Sequence, residues 1–152
     1  MLASCPGLGA HASARDDDIK RDIERLAAAG TDFVLTLLEA DDRDRLGLTA
    51  FDRIISDAGL AHASFPIRDR SIPRDDQHTD LNHLLDDLAA RIRNGQNIAI
   101  HCQAGLGRTG MMAGLLLGRF GIDGAAAITA IRQTRPGSIE TSAQENFVRN
   151  WG

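Results

Sequence analysis

Residues 101–110 read His-Cys-Gln-Ala-Gly-Leu-Gly-Arg-Thr-Gly. Cys102 is a soft nucleophile, and Arg108, after five intervening residues, is a permanent cation. Gly105 and Gly107 let the backbone between them curl with its N–H groups turned inward. The N–H groups of Gln103, Ala104, Gly105, Leu106 and Gly107 then form, with Arg108, a cradle for a tetrahedral dianion. Arg108 grips two oxygens with a planar fork that lysine lacks. A helix opening at Arg108 adds the positive potential of its N-terminus. Cys102 lies at the bottom of the cradle, facing the central atom. The same surroundings favour thiolate over thiol. A thiolate so placed attacks phosphorus and gives a covalent thiophosphate intermediate. The N–H groups and Arg108 also stabilise the equatorial oxygens of the transition state. Thr109 offers a hydroxyl hydrogen bond to the sulfur, easing its departure in the second step. The plainer reading, an ordinary buried cysteine, leaves the glycines and the arginine unexplained.

The flanking sequence supplies the elements that position this segment. Residues 97–101 read as a short buried strand, and residues 108–120 as an apolar helix. Upstream, Asp16, Asp17 and Asp18 precede Ile19, Ile23 and Leu26 at helical spacing, with Gly30 as the stop. Residues 32–38 form an apolar run bounded by turn residues, which predicts a buried strand. Residues 49–60 predict a helix, and residues 61–65 a second strand stopped by Pro66. Residues 66–76 are polar, contain two prolines and read as a loop. Leu81, Leu84, Leu85, Leu88 and Ile92 give a helix over about residues 78–94, with the stripe directed to the core. Residues 125–133 and 141–151 are two further helices. Strands alternating with helices predict a single α/β domain over residues 1–152, with a mostly parallel central sheet. Ligands in such sheets sit beyond the carboxyl ends of the strands, where Cys102 falls.

Composition sets the outer limits. The 152 residues carry a net charge of −4, which disfavours a nucleic-acid binder. No apolar run is long enough to span a membrane, and no secretory signal is visible. Two cysteines 97 positions apart do not make a disulfide framework, so a reducing, cytoplasmic setting is expected. His11, His62, His78 and His83 show no metal-ligand spacing and read as surface or loop residues. No metal or cofactor is expected, and the chain is expected to act as a monomer.

The segment HCQAGLGRTG resembles the signature loop of the Cys-dependent protein tyrosine phosphatase superfamily: His-Cys, five residues, Arg, then Ser or Thr. The late position of the loop and the small size resemble the dual-specificity branch. The flanks are most similar to the kinase-associated, cyclin-dependent-kinase-inhibitor-3-like phosphatases, through Pro66-Ile67-Arg68-Asp69 and Ile139-Glu140-Thr141-Ser142-Ala143-Gln144. The similarity covers roughly residues 30 to 150. It implies that Asp69 is the general acid and base on a mobile loop, with Asp75 and Asp76 as competitors. It implies that Gln144 positions the attacking water and that His101 orders the loop and tunes the cysteine. Where many relatives have two glycines after the acid, this chain has Arg70-Ser71. Glu140 stands where relatives often have Gln, and either points away or helps to position water.

The resemblance implies metal-free hydrolysis of phosphate monoesters, with phosphorylated protein or peptide as substrate: phosphotyrosine first, phosphoserine or phosphothreonine as alternatives, and phosphoinositide less favoured because Gln103, Ala104 and Leu106 are neutral where lipid-phosphatase relatives often place Lys. Two other classes compete. One is another Cys enzyme on an anion cradle, such as a sulfurtransferase or an arsenate reductase. The other is a phosphoprotein-binding module without turnover. Arg68, Arg70 and Arg74 form either a solvated loop or a rim that recognises acidic substrates. Cys5 reads as structural, with a redox partnership with Cys102 as the alternative.

Overall fold

Short apolar segments of this chain are covered on both faces, which is the condition for a parallel sheet. In the computed structural model, which describes residues 1–9 and 11–151, β2 (Phe33–Thr36) and β4 (Ile98–His101) are buried at every position. They pair in parallel, with Phe33 opposite Ile98 and Thr36 opposite His101. β3 (Ala61–Ser64) lies beyond β2 and β1 (Leu2–Ala3) beyond β4, giving the order β1-β4-β2-β3 with every pair parallel. This is the α/β architecture expected from the alternation of elements.

The helices cover the sheet according to their apolar stripes. α1 (Asp16–Ala28) opens on three aspartates, whose charges suit a helix N-terminus. It buries Ile19 and Ile23 and packs on α3 (Phe51–Asp57). α4 (His78–Arg93), α6 (Gly124–Thr134) and α7 (Ser142–Asn150) gather around α5 (Gly107–Gly118), which runs from the end of β4. α5 is apolar almost all round, as a helix enclosed by other helices must be. The Asp123 carboxylate caps α6 by accepting the N–H groups of Ala125 and Ala126 at 3.0 and 3.1 Å. Thr141 and Gln144 cap α7 reciprocally.

Several sequence expectations need correction. α2 (Ala40–Arg45) was not expected, because Ala-Asp-Asp-Arg-Asp-Arg carries no apolar period. β1 is only two residues long and gives no alternation to read. Asp75–Gln77 form a 3-10 turn at the end of the expected loop. The strands are shorter than predicted by one to three residues at their ends. The α4 stripe is buried at Leu81, Leu85 and Leu88, but Ile92 is 37% exposed and lines an open apolar hollow with Phe120. His62 is not a surface residue: it lies in β3 with its side chain 12% exposed.

Leu35, at the centre of β2, is fully buried. Leu35→Ala should destabilise the chain by about 2–5 kcal/mol. Urea unfolding should show a lower midpoint with an unchanged slope.

Candidate active site

The loop between β4 and α5 is shaped by what holds its carbonyls. Cys102 O accepts from His101 Nδ1 at 3.2 Å, and Gln103 O from the Cys5 N–H at 2.9 Å. Ala104 O accepts from Arg135 Nη2 at 3.3 Å. Leu106 O accepts from the N–H groups of Gly110 and Ile139. In a trans peptide the N–H points opposite to the carbonyl. Four carbonyls drawn outward therefore turn the N–H groups of Gln103, Ala104, Gly105 and Gly107 to the other side. The Gly105 N–H donates to Cys102 Sγ at 3.3 Å. Gly105 itself has φ +70, and a Cβ there would collide with the backbone of Ala3 and Ser4. Only glycine meets both conditions.

Arg108, in the first turn of α5, is 1% exposed. Its Nη1 donates to Asp42 Oδ2 at 2.7 Å and to Ile67 O at 3.0 Å. Its Nε and Nη2 are buried and have no hydrogen-bond partner among the described residues. Nη2 lies 3.1 Å from Asp69 Oδ1 as an ion pair without hydrogen-bond alignment. Burial works to lower the pKa of Arg108, but the hydrogen bond to Asp42 and the charges of Cys102, Asp42 and Asp69 outweigh it and raise it. One nitrogen of the guanidinium is thus fastened, and the Nε–Nη2 edge, which faces Asp69 without a hydrogen bond, keeps two donors in the geometry that suits a two-oxygen ligand.

Asp42 was missed from sequence. It stands on α2, 66 residues from Arg108, in a charged segment with no apolar period. Its other carboxylate oxygen accepts from Arg45 Nη2 at 2.9 Å, and Arg45 Nη2 also donates to Gln103 Oε1 at 2.8 Å. Spacing along the chain carries no signal for such a link.

The loop after β3 brings Asp69, of the three candidate acids, to the cradle. Asp75 lies 3.9 Å from His78, and Asp76 3.1 Å from Arg74. Gln77 fixes the base of this loop by donating to Pro66 O and accepting the Arg74 N–H. Gln144, fully buried, donates to Ser71 O at 3.1 Å and accepts the N–H groups of Glu140 and Thr141. Arg70 has φ +58, the left-handed conformation that glycine adopts freely. Ile139 has φ +60, which is strained for a β-branched residue. Its N–H reaches Leu106 O, so the strain sits on a direct tie to the signature loop. Glu140 does not point away: its carboxylate leans over Gly107 at the start of α5.

The remaining candidates are placed as follows. His101 is 1% exposed, and burial pushes its imidazole down to about 4. Thr109 is fully buried, and its hydroxyl has no hydrogen-bond partner among the described residues. Cys5 is 2% exposed, and both cysteines are free thiols. Burial pushes the Cys5 thiol up to about 12; the nearby Cys102 adds to this, Arg43 opposes it and Asp42 adds to it. His78 packs against Phe147 and Trp151, with ring centroids 5.6 and 5.0 Å away. No group of three or more His, Cys, Asp or Glu side chains suited to a metal ion occurs among the described residues.

Comparison with known proteins follows the same lines. The family model for the PTP-SAK (Swiss Army Knife) DSP-PTPase phosphatase domain matches residues 11–148. Dual specificity protein phosphatase CDC14AB of Danio rerio is 35% identical over 97 residues, 62% of this chain and 15% of that protein. Cyclin-dependent kinase inhibitor 3 of Rattus norvegicus is 25% identical over 140 residues, 88% of this chain and 63% of that protein. The chain thus spans a small part of the first and just under two thirds of the second. The solved structure of kinase associated phosphatase has a TM-score of 0.84 at 22% identity, covering 97% of this chain and 82% of that one. With a parallel sheet delivering His-Cys to a curled loop, a buried arginine opening the next helix, and a family match over nearly its whole length, the chain belongs to the dual-specificity phosphatase domain family.

Proposed function

We infer that the chain hydrolyses phosphate monoesters on protein or peptide, with Cys102 as nucleophile. The observation that carries this is the fork of Arg108: two adjacent nitrogens, buried and without a hydrogen-bond partner among the described residues, on a guanidinium whose third nitrogen is fastened by Asp42 and Ile67 O. A tetrahedral dianion satisfies both nitrogens at once. The N–H groups of the loop take its remaining oxygens.

The chain's own groups account for each step. The Cys102 thiolate attacks phosphorus, the S–P bond forms, and the bond from phosphorus to the leaving oxygen breaks. Asp69 gives its proton to that oxygen. Water then attacks phosphorus, Asp69 takes the proton back, and the S–P bond breaks to release phosphate and thiolate. Arg108 and the loop N–H groups bear the charge of the equatorial oxygens throughout. Thr109 turns its hydroxyl to the departing sulfur. Gln144 sets the height of the acid loop through Ser71 and keeps one amide hydrogen for the attacking water. Arg68 and Arg70, exposed on either side of Asp69 and without ion-pair partners among the described residues, favour an acidic or phosphorylated peptide as substrate.

The deciding experiment is phosphate release from p-nitrophenyl phosphate, in EDTA with reductant, for the native chain and Cys102→Ser. Release by the native chain and none by the folded variant is expected. Release that survives the substitution, or none from the native chain, overturns the reading. Asp69→Asn should slow alkyl phosphates by about 10²–10⁴-fold and p-nitrophenyl phosphate far less, because nitrophenolate leaves without a proton. The same pattern from Asp75→Asn or Asp76→Asn would move the role to that residue.

The anchor of Arg108 is also testable. Burial works to raise the pKa of Asp42, but its hydrogen bonds with Arg108 and Arg45 outweigh this and lower it. A carboxyl lowered on folding stabilises fully above its unfolded pKa of about 4 and loses that contribution as pH falls through the lower folded value. Asp42→Asn should destabilise by about 1–3 kcal/mol at pH 7. It should also flatten the acid-side decline of Tm, measured by calorimetry.

A further inference from the structure

Thr36 is a fully buried polar residue at the end of an apolar strand. Its Oγ1 stands 2.8 Å from His101 Nε2 and 2.8 Å from His62 Nε2. Beyond it, His62 Nδ1 lies 3.3 Å from Asp52 Oδ1, which Arg43 Nη2 holds at 2.6 Å. The sheet sets up this row. Thr36 is opposite both His101 and Ser64, and His62, two residues before Ser64, shares its face. Phe51 of α3 packs against both imidazoles, with ring centroids 5.3 and 6.0 Å away.

The row has one hydrogen-bond direction. A carbonyl only accepts, so His101 Nδ1 carries the proton that reaches Cys102 O. His101 is neutral near pH 7, because burial holds its pKa at about 4. Its Nε2 is therefore a lone pair, and the Thr36 hydroxyl donates to it. The Thr36 oxygen then accepts, so His62 Nε2 carries a proton as well. Neutral His62 turns its Nδ1 lone pair toward the Asp52 carboxylate; protonated His62 turns an N–H there.

We propose that Thr36 and His62 are positioning residues for the nucleophile: together they fix the tautomer and ring plane of His101, and so hold the Cys102 carbonyl turned out of the cradle. This rests on Cys102 being the nucleophile. A carbonyl turned outward keeps the Gln103 N–H turned to the anion side. Successive hydrogen bonds polarise one another, so a proton on His62 strengthens the donation from His101 to Cys102 O. The groups facing His62 are Asp52 of α3, Arg43 of α2 and, across Thr36, neutral His101. Burial lowers the pKa of His62, Asp52 opposes this and Arg43 adds to it.

The test is the rate of Cys102 alkylation by iodoacetamide as a function of pH, with the modified site read by peptide mass. Thr36→Val, which keeps the shape and removes the hydroxyl, should displace the profile to higher pH by about one unit, or roughly tenfold slower alkylation on its acid side. Thr36→Ser should restore the native profile, and His62→Phe should give a smaller displacement in the same direction. Imidazole ¹⁵N shifts of the native chain should show His101 protonated at Nδ1 and neutral His62 at Nε2. An unchanged profile in folded Thr36→Val, or a His101 proton on Nε2, overturns the proposal. If Thr36→Val does not fold, the native tautomers decide. Neither readout uses a phosphate ester, so a native chain that releases no phosphate overturns the hydrolase reading while these readouts still decide the relay.

Discussion

A guanidinium buried to 1% exposure has to be neutralised and hydrogen-bonded from inside the protein. Much of the carboxyl end of this sheet is arranged around that requirement. Asp42 meets it on one edge of Arg108, together with the carbonyl of Ile67 where the chain leaves β3. The opposite edge meets only the loosely aligned Asp69. The asymmetry has a physical meaning. A fully satisfied arginine would be structural, whereas one fixed on a single edge is held rigid and still has two donors to give. The short helix α2 supplies Asp42 for the arginine and Arg45 for the side chain of Gln103.

The parts of the site legible in the sequence lie close together along the chain. Cys102, Gly105, Gly107, Arg108 and Thr109 fall within eight consecutive positions, and their order alone implies a curled loop and a helix start. β2, β4 and α4 were legible because burial imposes a period or an unbroken apolar run. Asp42, Thr36 and His62 were not. Each acts across strands or helices, and each resembles its commonest bland counterpart: a solvated aspartate, a strand threonine, a surface histidine. The conformation of Arg70 was marked only through the resemblance, in which glycine stands at this position; the arginine itself carries no sign of it.

The loop that carries Asp69 and the signature loop are fastened by different means. Gln77 and Gln144 hold the Asp69 loop through side-chain amides, at Pro66 and at Ser71. Between those points Asp69 and Arg70 are exposed and tied by little except the ion pair to Arg108. A segment pinned at both ends and loose at its tip can move without disturbing the core, as the proton transfer proposed for Asp69 requires. The signature loop has no such slack. Its carbonyls are bound by His101, Cys5, Arg135 and Ile139, drawn from four separate parts of the chain.

One of those ties reaches back to the fifth residue. Cys5 bonds Gln103 while the backbone of Ala3 and Ser4 presses against Gly105, and Met1 and the two residues of β1 bond to β4 there. The cradle therefore closes a chain loop of nearly a hundred residues across a short edge strand. Its completion belongs late in folding, after β2, β3 and β4 have assembled. A short edge strand belongs to the less stable parts of a sheet. Release of this strand would take its support from the signature loop before β2, β3 and β4 part, so the shape of the loop lasts only as long as its hold on the first strand.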